Sequence, residues 1–201
     1  MAQTFGWIGV LIALITSVGL LLVRDWRTLI ILLAMQYSAM FILCFTHLPF
    51  GMASVKVVVG WMSATILGMT RSGISARDGD EESNLPRGRL FRLFAAGMVG
   101  IIVAGIASRV DNIMADAGIA LSAGSLLLIG MGLLHLGLTT NTLRITIGLM
   151  TVLSGFEILY TAVEGSVLVT ALLAVVILGL ALVGSYLMLA GHAAQAEEES
   201  A

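Results

Sequence analysis

Two ionisable side chains, Lys56 and Glu157, lie well inside long apolar segments of the sequence, where a charge needs a specific partner. Glu157 is about six residues and Lys56 about five residues from the nearer end of its segment, a depth of roughly 9 Å along a helix. Inside a membrane an ionised carboxylate costs about 2.5 to 3.5 kcal/mol, so Glu157 is expected to face protein, water or a cation. The two residues are therefore candidates for a titratable pair or a relay on a hydrated proton or ion path. The alternatives are a static ion pair that joins two helices and, for Lys56, an ammonium group that reaches outwards to the membrane surface.

His135 is a third candidate for a proton path, because it lies near the end of an apolar segment that we assign below to the cytoplasmic side. An imidazole there could admit protons from the inner surface, or it could be a hydrogen-bonded residue at the interface. His47 and His192 lie at different depths, which does not predict the axial ligands of a haem. The chain has one cysteine and neither a zinc-binding nor a nucleotide-binding motif, so the sequence predicts no metal and no cofactor.

The composition indicates the environment that surrounds these residues. The chain has 201 residues, of which 59% are hydrophobic and 11% are charged, whereas a soluble domain carries about 25% charged residues. Apolar runs of about 20 residues recur, each long enough to cross a hydrocarbon layer about 30 Å thick as a helix. The runs do not alternate between apolar and polar residues, which argues against strands. The expected contact is a lipid bilayer, and a net charge of −2 without a basic stripe does not predict a nucleic-acid partner.

The sequence predicts an all-α integral membrane protein with about seven transmembrane helices. Arginine, proline and glycine interrupt the apolar runs and place the helices at about 5–23, 28–45, 52–70, 93–107, 117–138, 143–163 and 166–190. Residues 71–92 are expected to form a polar linker, and residues 191–201 an acidic tail. Residues 1–70 contain a first group of three helices, which precedes the linker. A single linking helix at 93–110 follows the linker, and residues 111–190 contain a second group of three helices.

Small residues at helical spacing indicate close helix packing. Ala96, Gly100 and Ala104 lie four residues apart in the fourth helix, so they share one face on which another backbone can approach closely. Gly148 and Gly155 are further candidates for close packing in the sixth helix. We therefore expect these positions to serve the assembly of helices and not chemistry.

The basic residues are distributed unequally between the two sides of the membrane. With seven crossings, one side holds eight arginines, in the turn at 24–27, in the linker at 71–92 and at Arg144, and the other side holds only Arg109. The positive-inside rule assigns the richer side to the cytoplasm. The sequence therefore predicts a multi-pass protein of the cell (inner) membrane with its N-terminus outside. Its C-terminus, the linker and the acidic tail would then be cytoplasmic.

The two groups of three helices resemble each other, which indicates an internal repeat. Each has a glycine-rich apolar helix, a short connection with an arginine, a second helix, a very short outer turn and a third helix. Residues 27–29 (RTL) enter the second helix of the first group, and residues 141–144 (NTLR) enter that of the second group. Because one helix separates them, both groups start outside and are expected to run parallel.

The second group carries a resemblance to a known family. Residues 141–160, which read NTLRITIGLMTVLSGFEILY, together with the apolar helix that follows, resemble the three-helix K subunit of respiratory complex I. They are also similar to the C subunit of the multi-subunit cation/proton antiporters. The duplicated arrangement, with a lysine early in the third helix, most resembles hydrogenase-4 component E. The residues that carry the likeness are Lys56, Asn141, Leu143, Arg144, Gly148 and Gly155.

The chain departs from the complex I subunit at its carboxylates. That family has a carboxylate directly after Ile-Gly-Leu and a second one in the following helix, and the resemblance associates both with proton transfer. Here the first position is Met150, and the predicted seventh helix contains no carboxylate. Glu157 lies seven residues beyond Met150, which is about two turns and nearly the same helix face.

The resemblance implies a non-catalytic membrane-arm subunit of a complex I-like or group 4 hydrogenase-like energy-converting complex. Such a subunit would pack beside antiporter-like membrane subunits and support assembly and redox-driven translocation of protons or sodium ions, while the partners carry the redox chemistry. A self-sufficient homo-oligomeric ion transporter or channel is the alternative from another class. A membrane enzyme that acts on lipid or quinone ranks last, because the sequence shows no convergent nucleophile, base and electrostatic donor.

Overall fold

The computed structural model describes residues 2–45, 47–74, 88–114, 118–163 and 165–200, with the backbone alone at 2–4 and 195–200. These residues form seven α-helices and no strand. The helices are α1 (Ala2–Leu22), α2 (Trp26–Cys44), α3 (Phe50–Gly73), α4 (Arg89–Ile113), α5 (Ile119–Gly137), α6 (Thr142–Thr161) and α7 (Val167–Ser200). Each helix follows one of the apolar runs of the sequence.

The seven helices are each long and apolar enough to cross a membrane. Their outward faces are strongly hydrophobic: Ile101 and Leu168 are both 75% exposed, on a surface that lipid tails can cover and water cannot solvate well. The prediction of an all-α, multi-pass membrane protein with seven spanning helices is therefore confirmed for the part of the chain that the structure describes.

Helices continue into both polar segments of the sequence. α3 continues to Gly73 and α4 begins at Arg89, so both ends of the predicted linker at 71–92 are helical. Residues 75–87, which hold most of the charges of the linker, lie outside the described residues. α7 continues to Ser200 through the predicted tail, because the alanine, glutamine and glutamate residues there all favour helix and no proline ends it.

The second helix of each three-helix group begins with the same kind of cap. The Asp25 carboxylate accepts hydrogen bonds from the Thr28 hydroxyl at 3.0 Å and from the amides of Thr28 and Arg27 at 3.3 and 3.4 Å. The Asn141 side-chain oxygen accepts from the Leu143 amide at 3.0 Å. Both caps satisfy backbone donors that the first turn of a helix leaves free. Slight burial raises the pKa of Asp25, but these hydrogen bonds outweigh it and hold that pKa below its ordinary value.

Contacts between helix ends show that consecutive helices run antiparallel. The start of α4 meets the end of α1, where Arg92 Nη1 donates to the Leu21 carbonyl oxygen at 2.9 Å. The end of α4 meets the start of α5, where the Asp111 carboxylate accepts from the Gly118 amide at 2.8 Å. The remaining described connections are short turns of a few residues, which reverse the chain direction at each membrane surface.

The bundle has two ends, which we name for residues that they carry. The arginine end holds the C-terminal ends of α1, α3, α5 and α7 and the N-terminal ends of α2, α4 and α6, with Arg24, Arg27 and Arg89. The Phe50 end holds the opposite helix ends, including the start of α3 at Phe50 and the end of α6 at Thr161. The helices α1, α2 and α3 thus run in the same directions as α5, α6 and α7, as expected of two parallel groups.

The helices α5 and α6 pack closely against each other through glycine residues. A Cβ atom at Gly155 would lie 2.7 Å from the Ile129 amide nitrogen and 2.7 Å from the Ser125 carbonyl oxygen, so the two backbones nearly touch. A Cβ atom at Gly148 would lie 2.9 Å from Cδ2 of Leu136. Gly148 and Gly155 both lie where a side chain would push α5 and α6 apart.

The small-residue face of α4 is only partly packed within the chain. Ala96 is 3% exposed, whereas Gly100 has open space where a Cβ would be and Ala104 is exposed. α4 packs against α5 and α1 and is the least buried of the seven spans. The close packing expected of all three residues is therefore found in the described chain at Ala96 alone.

The substitution Gly155→Ala is expected to destabilise the protein, because the added methyl group meets backbone atoms that cannot move aside independently. Overpacking of this kind costs about 1 to 3 kcal/mol. Gly100→Ala is the matched control, since it adds the same methyl group to a spanning helix but into open space. We expect a lower thermal unfolding midpoint in detergent for Gly155→Ala only. Equal midpoints for the two variants would contradict the close approach of α5 and α6.

Candidate functional site

The structure brings Lys56 of α3 and Glu157 of α6 into direct contact. The Lys56 Nζ donates to Glu157 Oε1, and both side chains are 2% exposed. Lys56 lies six residues after Phe50 and Glu157 four residues before Thr161, which are depths of about 9 and 6 Å from the Phe50 end. Each charge therefore compensates the other inside an apolar bundle, where either one alone would be costly.

The spacing of polar residues along α6 explains why Glu157 faces the interior. Thr151, Ser154, Glu157 and Thr161 follow one another at intervals of three or four residues, so they share one side of the helix. All four are buried, because that side meets α2 and the first turns of α3. The sequence of α6 thus carries a polar stripe, and its neighbours in the bundle cover it.

A glycine on α3 makes room for an aromatic ring beside the ion pair. Lys56, Gly60 and Ser63 belong to the buried side of α3. Tyr37 of α2 is 1% exposed and packs directly on Gly60, where a Cβ atom would overlap the ring. The Tyr37 hydroxyl approaches Ser154 of α6 without forming a well-aligned hydrogen bond. The absence of a side chain at Gly60 therefore lets Tyr37 reach the polar stripe of α6.

The ion pair lies within a larger group of buried polar side chains, which we call the polar cluster. Gln36 Nε2 donates to Thr151 Oγ1 at 3.1 Å, and Cys44 Sγ lies 3.7 Å from Thr161 Oγ1. The cluster consists of Gln36, Tyr37, Cys44, Lys56, Thr151, Ser154, Glu157 and Thr161. It extends from the Phe50 end of α6 to the middle of that helix.

Several atoms of the polar cluster keep unused hydrogen-bonding capacity. Glu157 Oε2, Gln36 Oε1 and the Tyr37 hydroxyl are buried, and none forms a well-aligned hydrogen bond within the described residues. Buried polar atoms of this kind commonly bind internal water. A carboxylate beside an ammonium group and hydroxyl groups can exchange a proton or attract a small cation, which is the chemistry that this arrangement can perform.

The polar cluster does not offer the ligand set of a tightly held metal ion. Glu157 is its one carboxylate, and one oxygen of that carboxylate contacts the Lys56 ammonium. Across the described ranges, no three histidine, cysteine or acidic residues lie close enough together to hold a metal. The Lys56 ammonium thus contacts Glu157 Oε1, and within the described residues Glu157 Oε2 is the carboxylate oxygen that keeps capacity for a proton or a small cation.

His135, the third residue that the sequence singles out, lies at the opposite end of the bundle. It is 6% exposed and lies on α5 close to the start of α6. The small cavity that it faces is also lined by Leu21, Arg92, Leu138, Thr139 and Arg144. Arg144 precedes Glu157 by 13 residues on α6, or about 20 Å along the helix axis. The structure therefore separates His135 from the Lys56–Glu157 pair, and the three residues do not form one site.

Two buried arginines close the arginine end of α1. Arg144 Nη2 donates to the Val23 carbonyl oxygen at 2.7 Å, and its Nη1 donates to that of Leu20 at 3.5 Å. Arg92 donates to the neighbouring carbonyl oxygen of Leu21. These bonds satisfy carbonyl groups that the last turn of a helix leaves free. The sequence pattern identified Arg92 as a cytoplasmic charge and Arg144 as a cytoplasmic charge and a residue of the family resemblance, but it did not reveal that both bind the end of α1, which finishes in leucines without a C-cap glycine.

No model of a known protein family, no curated protein and no solved structure matches the chain. The fold and the site define a class: a multi-pass α-helical membrane protein with a buried lysine–glutamate pair between spanning helices. What this chain does must be inferred from its own residues.

Removal of one member of the ion pair is expected to destabilise the protein more than removal of both. Lys56→Met leaves a buried carboxylate unpaired and Glu157→Gln leaves a buried ammonium unpaired, and breaking a buried pair in this way costs about 3 to 5 kcal/mol. The double variant Lys56→Met/Glu157→Gln contains neither charge and should recover most of the loss. A double-mutant cycle on thermal unfolding in detergent measures the coupling. Simply additive effects would contradict a direct pair.

The variant Arg144→Gln is expected to loosen the end of α1, because it removes hydrogen bonds from a charged donor worth about 1.5 to 3 kcal/mol each. Arg24→Gln is the matched control, since it changes an exposed arginine at the same end of the bundle. Hydrogen exchange of the backbone amides at 19–23 should accelerate in Arg144→Gln and stay unchanged in the control. The same exchange rates in both variants would remove Arg144 from this role.

Proposed function

We propose that this chain is a non-catalytic membrane-arm subunit of a complex I-like or group 4 hydrogenase-like energy-converting complex. It would support assembly and take part in redox-driven translocation of protons or sodium ions, while partner subunits carry the redox chemistry. The observation that carries the ion-path role is the Lys56–Glu157 pair, which is buried among spanning helices and continued by the polar cluster. The resemblance of residues 141–160 to the K subunit of complex I, and of the whole arrangement to hydrogenase-4 component E, supports the choice of complex.

A purely structural ion pair explains the site less well. A buried pair adds little net stability, because the desolvation of two charges offsets their attraction. An ion pair whose only role was to join α3 to α6 would stabilise the protein more if all its polar atoms were hydrogen-bonded. Within the described residues, however, Glu157 Oε2 and the nearby Tyr37 hydroxyl keep unused capacity. This capacity supports a site that takes up and releases a proton or a small cation.

Charge balance gives the pair a way to couple two events. A proton or Na⁺ bound at Glu157 cancels the charge of the carboxylate and leaves the Lys56 ammonium without its counter-charge. An uncompensated ammonium in the membrane is costly, so Lys56 then loses a proton or moves towards another anionic group. An antiporter-like neighbour in the complex would supply that group. Each ion taken up at Glu157 would thus drive a displacement of positive charge towards the next subunit.

The helices α4 and α7 offer surfaces on which partner subunits can pack. They are the least buried of the seven spans, and α4 has open space at Gly100 and an exposed Ala104. Small residues allow a helix of another chain to approach closely. We assign this face of α4 to contacts with antiporter-like or other membrane subunits, with lipid over the remaining hydrophobic surface.

We further propose that the protein lies in the cell (inner) membrane with its arginine end in the cytoplasm. Among the described residues, Arg24, Arg27, Arg71 and Arg89 lie at that end and Arg109 lies near the other. The positive-inside rule then gives an outer N-terminus and a cytoplasmic C-terminus. The Lys56–Glu157 pair would in that case be nearer to the outer surface of the membrane.

A self-sufficient homo-oligomeric ion transporter or channel is the second candidate. The observation that favours it is that α2, α3 and α6 of one chain bury the whole polar cluster, so the site needs no residue from another protein. The two candidates differ in which proteins stay bound to the chain when the membrane is dissolved in mild detergent.

Affinity purification of the tagged protein from its native membrane, followed by mass spectrometry, distinguishes the two candidates. The proposal expects antiporter-like membrane subunits and iron–sulfur or hydrogenase-like proteins to co-purify in stoichiometric amounts. Elution of the chain with itself alone would overturn the proposal. Ion flux through the reconstituted chain would then test the second candidate.

Glu157→Gln is expected to lower redox-driven ion pumping by about tenfold or more, because the amide can neither release a proton nor attract a cation. The control is Lys56→Met/Glu157→Gln, which also removes the unpaired ammonium and so separates loss of pumping from loss of folding. Both variants should pump poorly, and the double variant should assemble at the level of the wild type. Pumping is measured with an ion-sensitive dye in inverted vesicles, and assembly on native gels. Wild-type pumping in either variant would exclude the pair from the ion path.

A further inference from the structure

We infer that water and ions reach the polar cluster from the Phe50 end only. A dry layer of apolar side chains, together with the buried Arg92 and Arg144, closes the cluster on the side of the arginine end. The functional meaning of this closure rests on the proposed role of the Lys56–Glu157 pair as an ion site. The closure itself follows from packing and charge, and it can be measured without any partner protein.

The route from the ion pair to the Phe50 end is short and lined by polar groups. Glu157 is four residues, or about 6 Å, from the last residue of α6. That residue, Thr161, lies on the same side of α6, and its hydroxyl donates to the Glu157 carbonyl oxygen at 3.2 Å. Cys44 at the end of α2 contacts Thr161, and the turn that follows Cys44 carries an exposed His47. Thr161 and Cys44 therefore place two polar side chains between the ion pair and the turn at this end.

The other side of the polar cluster is apolar for about 10 Å. Gln36 and Thr151 form its last polar contact, and Arg144 lies seven residues further along α6. The side chains between, which we call the apolar layer, are Leu29, Leu33, Ile147 and Met150, and each is 0% exposed. All four belong to one continuous hydrophobic core. Closely packed apolar side chains leave no room and no hydrogen-bonding partner for water, so this layer is dry.

Four buried hydroxyl groups lie at similar depth, those of Thr16, Ser17, Ser63 and Thr146, and none of them forms a hydrogen bond to another helix within the described residues. Thr146 of α6 donates to the Thr142 carbonyl oxygen at 2.9 Å and packs against Gly184, so it faces α7. Thr16 of α1 donates to the carbonyl oxygens of Ile12 and Ala13. The hydroxyl groups of Ser17 on α1 and Ser63 on α3 form no hydrogen bond within the described residues. A single hydroxyl with apolar neighbours offers too few partners to hold a chain of water molecules.

Fixed positive charge lies beyond the apolar layer. Arg92 and Arg144 are 6% and 2% exposed, and both are held in place by carbonyl oxygens at the end of α1. With His135 they line one small cavity. A cation that came from the arginine end would therefore meet these two buried guanidinium groups first and the apolar layer next.

Access from one side alone lets the ion pair carry out only the first half of a translocation, the uptake of an ion from the Phe50 end. A cation that enters from the Phe50 end returns there unless the apolar layer opens or a neighbouring group accepts the charge. The chain at rest therefore does not conduct protons or Na⁺ across the membrane. A gradient is preserved, and the second half of any crossing depends on a rearrangement or on another chain.

The labelling of single cysteines can show from which side of the membrane an aqueous reagent reaches each depth of the bundle. In a full-length Cys44→Ser background, which removes the native thiol and keeps a polar group at that position, Ser154→Cys places a thiol in the polar cluster with little change in size. Ile147→Cys places one in the apolar layer. His47→Cys and Arg24→Cys lie at exposed positions and mark the Phe50 side and the arginine side. Each variant is labelled in sealed native vesicles of either orientation with a small, charged methanethiosulfonate that does not cross the membrane.

Ser154→Cys is expected to react at least about tenfold faster from the Phe50 side than from the arginine side. Ile147→Cys should react about tenfold or more slowly than Ser154→Cys when both are labelled from the Phe50 side. Equal reaction of Ser154→Cys from both sides, or faster reaction from the arginine side, would overturn the inference. Protection from both sides would overturn it as well, because the polar cluster would then have no access to water. The two exposed cysteines verify that the vesicles are sealed and the chain is inserted.

Opening the apolar layer provides a second test. Adding Ile147→Asn to the Ser154→Cys variant should raise its labelling from the arginine side by about tenfold or more, because a polar group admits water there. Leu149→Asn is the matched control, since it puts the same amide on an exposed position of α6. If Ile147→Asn left the labelling rate of Ser154→Cys from the arginine side unchanged, the apolar layer would not be the barrier. A failed co-purification would reject the complex I-like assignment without affecting these labelling rates, so the two proposals can fail separately.

Discussion

The cost of an unpaired polar group in hydrocarbon governs the rest of this structure. A bilayer core has no water to bind a free donor, acceptor or charge, so each must find its partner within the protein. The chain meets this requirement between α3 and α6 with Lys56 and Glu157. It meets it again at the end of α1, where Arg92 and Arg144 bind carbonyl groups that would otherwise be free. In both places a charged side chain joins helices that are far apart in the sequence.

The helix α6 packs against α5 through glycines and contacts α2 and α3 through polar side chains, and the glycine packing positions the polar side chains. Its glycines lie so close to α5 that the two backbones nearly touch, which leaves α6 little freedom to rotate or slide. The adjoining side of the helix presents Thr151, Ser154 and Glu157 to α2 and α3. A fixed rotation of α6 therefore keeps the carboxylate facing Lys56 and away from lipid. Close packing thus lets a charge lie in the membrane interior.

The two ends of the bundle differ in a way that a directional process requires. Between the ion pair and the Phe50 end lie the polar side chains of Thr161 and Cys44, whereas towards the arginine end apolar side chains and then buried arginines follow the polar cluster. Moving one elementary charge across a potential of 100 mV involves about 2.3 kcal/mol. A site open to both sides at once would dissipate that energy. The asymmetry of the polar cluster is therefore consistent with the proposed role, in which ions are handled under control and are not simply conducted.

The sequence alone determined the seven helices, the membrane environment and the depth of Lys56, Glu157 and His135, because the length of an apolar run and the position of a charge within it are local properties. The acidic composition of residues 191–200 did not reveal that α7 continues through them. Only the tertiary structure decided that Lys56 and Glu157 touch, that Arg144 is buried against α1, and that Ala96 packs while Gly100 and Ala104 remain uncovered. These outcomes depend on how each helix is rotated about its axis. Contacts between residues of different helices, such as Gly60 with Tyr37 and Gly155 with Ile129, set that rotation. The residue pattern within one helix does not show which residue of another helix it will contact.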